Sequence, residues 1–316
     1  MLAYYFNFLP LVLFLILPFL LFAKRRQENQ RWGHSLNDRL LRSAGDSTLE
    51  AIERLNVRLT HHLKWIGITV SIQVIGQSLL VTFTSGSLQG LLLPMLSALT
   101  IASLIWHFAT VTHALIKRSR QTGHYHGERI VGEHLKMLTI EGYRVFHDLQ
   151  FDGFNIDHAV VGPGGVFALE TLVRQPRKSD GANPSVGFDG EYLKWHKCKP
   201  RDEAITRALE RSKALQEWLT GRIPQTLPVI PLLVIPGWKI DGERKGKVSV
   251  LNPKFLANFF QTEENYTEIL EPTAIKRISQ QLLEKSRFQI TNEAKEKADC
   301  EEPAFEMKEE ESPLAV

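Results

Sequence analysis

The sequence predicts an α-helical membrane anchor of three spans, followed by a soluble α/β domain. Residues 1–23 contain no Asp, Glu, Lys or Arg, and neither do residues 65–116. A spanning helix needs about 20 apolar residues, so the second run is long enough for two spans. After residue 127, strand-like runs alternate with amphipathic helical patterns, which is typical of an α/β domain.

The first apolar run, residues 1–23, ends at the basic cluster Lys24-Arg25-Arg26. A cleavable signal peptide carries its positive charge before the apolar run and a small-residue site after it. Because the order here is reversed, we expect an anchor with its N-terminus outside and Lys24 inside.

Residues 24–64 are polar with apolar residues at helical spacing, so they predict a cytoplasmic amphipathic helical segment. It either lies on the inner membrane surface or is a solvated connector. Residues 65–116 predict a transmembrane helical hairpin with its turn at residues 84–87. Basic residues flank the hairpin and are absent from the turn, so the positive-inside rule places both flanks in the cytoplasm. We therefore expect an integral inner (cytoplasmic) membrane protein with its soluble domain facing the cytoplasm.

Residues 120–260 predict the soluble domain, and the elements within it follow from periodicity and turn residues. The predicted elements are a helix from Glu128, a strand at 143–149, a hairpin at 155–174, a loop at 175–187, a strand at 192–195, a helix at 201–219, strands at 229–235 and 248–251, and helices at 253–260 and 272–288. Residues 261–290 form a C-terminal helical segment in this interpretation. Residues 291–316 are rich in Glu and predict a disordered acidic tail.

The hairpin at residues 155–174 carries the candidate chemistry. If Gly162–Gly165 form the loop, counting outward pairs Asp157 with Glu170 on one face, beside small alanines. Two opposed carboxylates with room around them favour a hard divalent metal. The alternative is that each carboxylate is solvated or paired with a nearby arginine.

Overall charge and cysteine content argue against a strongly basic chain, a disulfide-rich protein and a cysteine-based metal site. The formal net charge is only +3, so the chain is not strongly basic as a whole. The two cysteines, Cys198 and Cys300, cannot build a disulfide framework and lack metal-site spacing. This usage suits a reducing compartment.

An ordered set of motifs between residues 125 and 235 resembles the nuclease-related domain (NERD) family of the PD-(D/E)xK nuclease superfamily. The matching features are Gly127-Glu128 opening a helix with Val131 and Leu135, Ile156-Asp157-His158-Ala-Val-Val-Gly-Pro, Gly165-Val166-Phe167, Leu169-Glu170-Thr171, Trp195, a helix near Pro200 and a buried strand at Val229. The resemblance implies a restriction-endonuclease-like fold with a mixed central sheet.

The resemblance also implies chemistry. Asp157 and Glu170 would bind Mg²⁺ or Mn²⁺, and Glu128 would assist, so that the metal activates water for hydrolysis of DNA or RNA. The family has a lysine two residues after the hairpin Glu, and in this chain that position is occupied by Leu172. In the family a glutamine usually opens the downstream helix, and the matching position in this chain is Glu203.

Three function classes remain open at this point. The first is an active nuclease in which Arg174 or Lys194 replaces the missing lysine. The second is a pseudoenzyme that binds metal or nucleic acid, and the third is an interaction module with protein partners or further copies of itself. Seven basic residues would contact nucleic acid in the second class: Arg174, Arg177, Lys178, Lys194, Lys197, Lys199 and Arg201.

Overall fold

The computed structural model describes residues 41–224, 227–243, 246–262 and 270–287. The predicted first span at 1–23 and the predicted acidic tail at 291–316 lie outside the described residues. So does the polar segment before residue 41.

Two long helices, α1 (Asp46–Phe83) and α2 (Ser87–Lys136), pack against each other. Both are long and apolar enough to cross a membrane by length and composition. Polar contacts join them, for example from Gln77 Nε2 to Ser97 Oγ at 3.0 Å.

Both helices are longer than their apolar runs predict. Helix α1 includes much of the segment expected to be separate before residue 65, and α2 continues into the helix expected to open at Glu128. The prediction of separate elements was wrong because no proline interrupts α2 between Ile116 and Glu128. Propagating a helix requires less free energy than ending it and forming a new nucleus.

The α/β domain is built on a mixed five-stranded sheet. Its strands are β1 (Arg144–Phe151), β2 (Phe154–Gly162), β3 (Gly165–Thr171), β6 (Val229–Val234) and β8 (Ser249–Leu251). The spatial order is β1-β2-β3-β6-β8, with β1, β2 and β3 antiparallel, and β3, β6 and β8 parallel.

Helices cover both faces of this sheet. They are α3 (Glu203–Thr220), α4 (Leu256–Gln261) and α5 (Pro272–Lys285). One apolar cluster joins α3 and α5 to the sheet, and a second joins the end of α2 and α4 to it. The amphipathic pattern of α3 places Leu215 and Leu219 in the first cluster.

A second sheet has three strands in the spatial order β5-β4-β7. Its strands are β4 (Ser185–Phe188), β5 (Leu193–Trp195) and β7 (Lys239–Gly242). The prediction of a loop throughout residues 175–187 was therefore wrong at its end. Strand β4 is short and begins among turn residues, and it forms because β7, distant in sequence, pairs with it.

Candidate functional site

Asp157 and Glu170 come together at the end of the β2–β3 hairpin. The observed register pairs Val161 with Val166 and His158 with Leu169, as predicted, and places Asp157 and Glu170 next along the ladder. The expected four-residue loop was wrong, because Gly162 and Gly165 pair with each other and leave only Pro163-Gly164 as the turn. Both carboxylates are almost completely buried, with exposures of 7% and 5%. Asp157 Oδ2 also accepts a hydrogen bond from the backbone N of Thr171 at 2.7 Å.

Arg211 on α3 lies between the two carboxylates. Its guanidinium contacts Asp157 Oδ1 at 3.4 Å and makes a close ion pair with Glu170 Oε2. Arg207, one turn earlier, lies 3.4 Å from Glu170 Oε1. The two carboxylates are therefore neutralised by arginines from the helix that covers them.

These arginines were missed at the sequence level, although a signal was present. Ala208, Arg211 and Leu215 follow the three- and four-residue spacing of a buried helix stripe. A charged residue on such a stripe predicts an oppositely charged partner in the core, because unpaired buried charge is costly. The partner could not be named without knowing where α3 packs.

Burial raises the pKa of Asp157, and Arg211 and the Thr171 N–H act in the opposite direction. Desolvation disfavours the charged form, whereas a neighbouring cation and a donated hydrogen bond favour it. The observed ion pair with Arg211 favours the charged form of this carboxylate.

Glu128 lies on α2 and is 6% exposed. Its Oε1 accepts a hydrogen bond from Thr48 Oγ1 at 2.9 Å. Burial, reinforced by the charge of Asp157, raises the pKa of Glu128 to about 8. The side chain is thus near the strand carboxylates, but its burial favours the protonated form and it is bonded to a residue of α1.

A fourth buried carboxylate, Asp148, was also missed. It lies on β1 where the pairing with β2 skips one position, and its φ of 50° is unusual for a residue other than glycine. Its charge contributes to the raised pKa of both Glu128 and Asp157. It accepts hydrogen bonds from Arg42 Nε at 2.6 Å and from Asn155 Nδ2 at 2.8 Å.

Leu172, at the family's lysine position, follows directly after β3. Its backbone N donates to Val234 O at 2.9 Å, and its side chain packs against an apolar cluster that includes Trp238 and Ala208. The leucine therefore packs against the core of the domain at this position.

The two side chains proposed as substitute cations lie elsewhere. Strand β3 ends at Thr171, so Arg174 lies beyond the strand that carries Glu170. Its guanidinium stacks on Trp195, with the carbon 4.4 Å from the ring centroid. Lys194 Nζ lies 2.8 Å from Asp189 Oδ2, and that pair is exposed. Neither is placed against the carboxylates, because the chain leaves the main sheet after β3.

A site for Mg²⁺ or Mn²⁺ needs several oxygen donors grouped around one point. Oxygen donors of the kind that these ions prefer are present. Within the described part of the chain, however, no three His, Cys, Asp or Glu side chains converge to hold a metal. Arg211 lies between Asp157 and Glu170, and Glu128 bonds to Thr48. As arranged, the donor set does not fit a divalent metal.

Comparisons with known proteins support the family resemblance. Residues 123–236 match the nuclease-related domain, NERD. Searches of curated proteins and of solved structures returned no significant match. The matched range begins on α2, ends just after β6, and contains Glu128, Asp157, Glu170, Arg207 and Arg211. This chain therefore contains a nuclease-related domain, NERD, over residues 123–236.

Proposed function

We propose that this chain is a membrane-anchored protein whose cytoplasmic nuclease-related domain binds the backbone of DNA or RNA and has lost metal-dependent cleavage. Its mixed sheet is assigned in this proposal to the restriction-endonuclease-like group. The support comes from the two long helices, from a basic surface and from the arginines at the carboxylates.

The membrane part of the proposal rests on exposed apolar side chains. Ile72, Leu99 and Phe108 on α1 and α2 are 58%, 69% and 70% exposed. The most apolar part of each helix is not covered by the rest of the described chain. Contiguous apolar surface of this extent is typical of a membrane or protein interface, and the length of each run suits a bilayer.

The observation that carries nucleic-acid binding is the meeting of two basic segments at Cys198. Arg174 and Arg177 approach Cys198 Sγ at 3.3 Å and 3.8 Å. The cysteine is flanked by further lysines, so cations from both segments form one surface. We call it the basic surface, and its members are Arg174, Arg177, Lys178, Lys197, Lys199 and Arg201.

The basic surface has the chemistry of a phosphate-binding site. All its members except Arg174 are exposed, so their side chains can reach a ligand. Lys194 is excluded because Asp189 lies 2.8 Å from its Nζ, whereas Arg201 is retained because its contact with Glu203 is longer, at 3.8 Å, and both side chains are exposed. Clustered lysines and arginines bind a nucleic-acid backbone by releasing counterions, without reading the base sequence.

The loss of cleavage rests on Arg211 and Leu172. A guanidinium between Asp157 and Glu170 competes with a divalent cation for the same oxygens. Leucine cannot orient water or stabilise charge on a transferring phosphoryl group. Removing one such electrostatic contribution lowers the rate by about 10²–10³-fold.

Fluorescence anisotropy with labelled short duplex DNA and single-stranded RNA tests the proposal on the full chain in detergent. We expect the binding constant for duplex DNA to fall with salt with a slope of about −4 to −5, as for four to six phosphate contacts. The double variant Arg177→Ala/Lys199→Ala should reduce that slope by about two. The control Lys213→Ala/Lys276→Ala removes two exposed lysines of the α3 and α5 surfaces and should leave the slope unchanged.

The same samples distinguish the other function classes. Absence of binding at low salt would favour an interaction module, with protein partners or further copies of the chain. Robust cleavage of the labelled DNA or RNA with Mg²⁺ or Mn²⁺ would favour an active nuclease and would overturn the proposed loss of cleavage.

A further inference from the structure

The chain enters α1 through residues 42–48, which we call the strap. At one end of the strap, the backbone N of Arg42 donates to Ser286 O at 2.8 Å, just after α5. At the other end the strap becomes the first turn of α1, which continues without a break to Phe83. A single segment therefore connects the soluble domain to a candidate membrane helix.

The strap binds two carboxylates of the candidate site directly. Thr48 Oγ1 donates to Glu128 Oε1 at 2.9 Å. The backbone N of Ser47 donates to Asp148 Oδ2 at 2.7 Å, and Arg42 Nε donates to the same oxygen at 2.6 Å. Glu128 and Asp148 are only 6% and 1% exposed, and the strap is one of the segments in contact with them.

Two glycines permit the close approach of the strap to α2. Gly45 has a φ of 87°, and a Cβ there would lie 2.8 Å from Tyr125 Cδ2. A Cβ on Gly132 would lie 2.7 Å from Ala44 Cβ. Larger residues at either position would force the strap away from Glu128, so the local geometry specifies a closed contact.

We propose that the strap is a closure over Glu128 and Asp148 of the candidate site, and that the membrane hairpin controls it by moving α1. Helix α1 has 38 residues and is about 57 Å long, so a tilt of about 5° around its far end would move the strap by about 5 Å. That displacement breaks hydrogen bonds of 2.6–2.9 Å. The proposal concerns access to the carboxylates, so its failure is distinguishable from failure of binding at the basic surface.

Carboxyl labelling of the full chain in lipid nanodiscs tests the closure, with carbodiimide and glycine ethyl ester as the probe and peptide mass spectrometry as the readout. In wild type, Glu128 and Asp148 should label much more slowly than Glu133, whose side chain on the same helix is 59% exposed. Thr48→Val keeps the side-chain shape and removes one hydrogen bond. It should raise labelling of Glu128 by about five- to tenfold.

Internal controls separate strap opening from general loosening. Glu170 is held by arginines rather than by the strap, so its labelling should stay unchanged in Thr48→Val. Thr60→Val is the matched control variant, because the Thr60 hydroxyl bonds only within α1, to Asn56 O. It should label as wild type does. Equal gains at Glu128 and Glu170 in Thr48→Val would overturn a specific closure, as would wild-type labelling of Glu128 as fast as that of Glu133.

Control by the hairpin is tested by changing the bilayer. Nanodiscs of dimyristoyl and dierucoyl phosphatidylcholine differ in thickness, and a membrane helix adapts to such a difference by tilting. We expect labelling of Glu128 and Asp148 to differ at least about threefold between the two bilayers, with Glu133 as the internal standard. Identical labelling in both would overturn control by the hairpin.

Discussion

Replacing Arg211 with alanine removes the cation that lies between two buried carboxylates. The side chains of Asp157 and Glu170 are 8% and 6% exposed, so little solvent can replace the lost guanidinium. Removing one partner of a buried ion pair costs about 3–5 kcal/mol. Because Arg207 remains near Glu170 and Arg211 itself is 19% exposed, we expect a loss of about 2–4 kcal/mol.

The matched control is Arg207→Ala, in which the removed side chain is 49% exposed. Because Arg207 is half exposed and Arg211 remains paired with Glu170, we expect this variant to lose only about 1 kcal/mol. Urea denaturation of the full chain in detergent micelles measures both variants, with tryptophan fluorescence as the signal. Trp238 is 1% exposed and reports unfolding of the α/β domain. If Arg211→Ala were no more destabilised than Arg207→Ala, the proposed bridging role of Arg211 would be wrong.

The same variant tests competition between arginine and metal. Without Arg211, the carboxylates of Asp157 and Glu170 lose their bridging cation, so Mn²⁺ should stabilise Arg211→Ala against urea and leave wild type unaffected. A ligand present at 100 times its dissociation constant stabilises by about 2.7 kcal/mol. The double variant Arg211→Ala/Asp157→Asn should lose this response. An equal response of wild type to Mn²⁺ would refute the competition.

Three further predictions concern the site and the topology. The pKa of Glu128 is raised from 4.5 to about 8, so the folded state retains a proton that the unfolded state has lost, and stability should fall as pH rises from about 5 to 8. Glu128→Gln should flatten that dependence in urea denaturation at several pH values, and equal slopes would contradict the shift. Leu172→Lys should lower the unfolding free energy by about 1–3 kcal/mol, because it places an amine against an apolar cluster. It should give no Mn²⁺-dependent cleavage of a labelled oligonucleotide while Arg211 is present. Leu172→Met is the control for packing, and cleavage by Leu172→Lys alone would show that Arg211 does not block the site. Alkaline phosphatase fused after residue 290 should be inactive, because the basic flanks predict a cytoplasmic domain. Enzyme activity of that fusion would refute the topology.

The local sequence pattern was sufficient to predict the register of the β2–β3 hairpin. The turn residues Gly162–Gly165 set its register, and alternation of side chains then places Asp157 and Glu170 on one face. The apolar runs likewise predicted two long helices within the described residues. These features depend on neighbours a few positions apart, so a single sequence contains the information.

The partners of the carboxylates depended on tertiary structure. Arg211 is 54 positions from Asp157, and Arg42 is 106 positions from Asp148. Periodicity predicts that a helix is amphipathic, but it does not determine where that helix lies across a sheet. The packing of α3 decided that Arg211, and not Arg174 or Lys194, faces Glu170. The path of α1 decided that Thr48 binds Glu128. The sequence by itself therefore determined which carboxylates share the strand ends, whereas the packing of distant helices decided what neutralises and covers them.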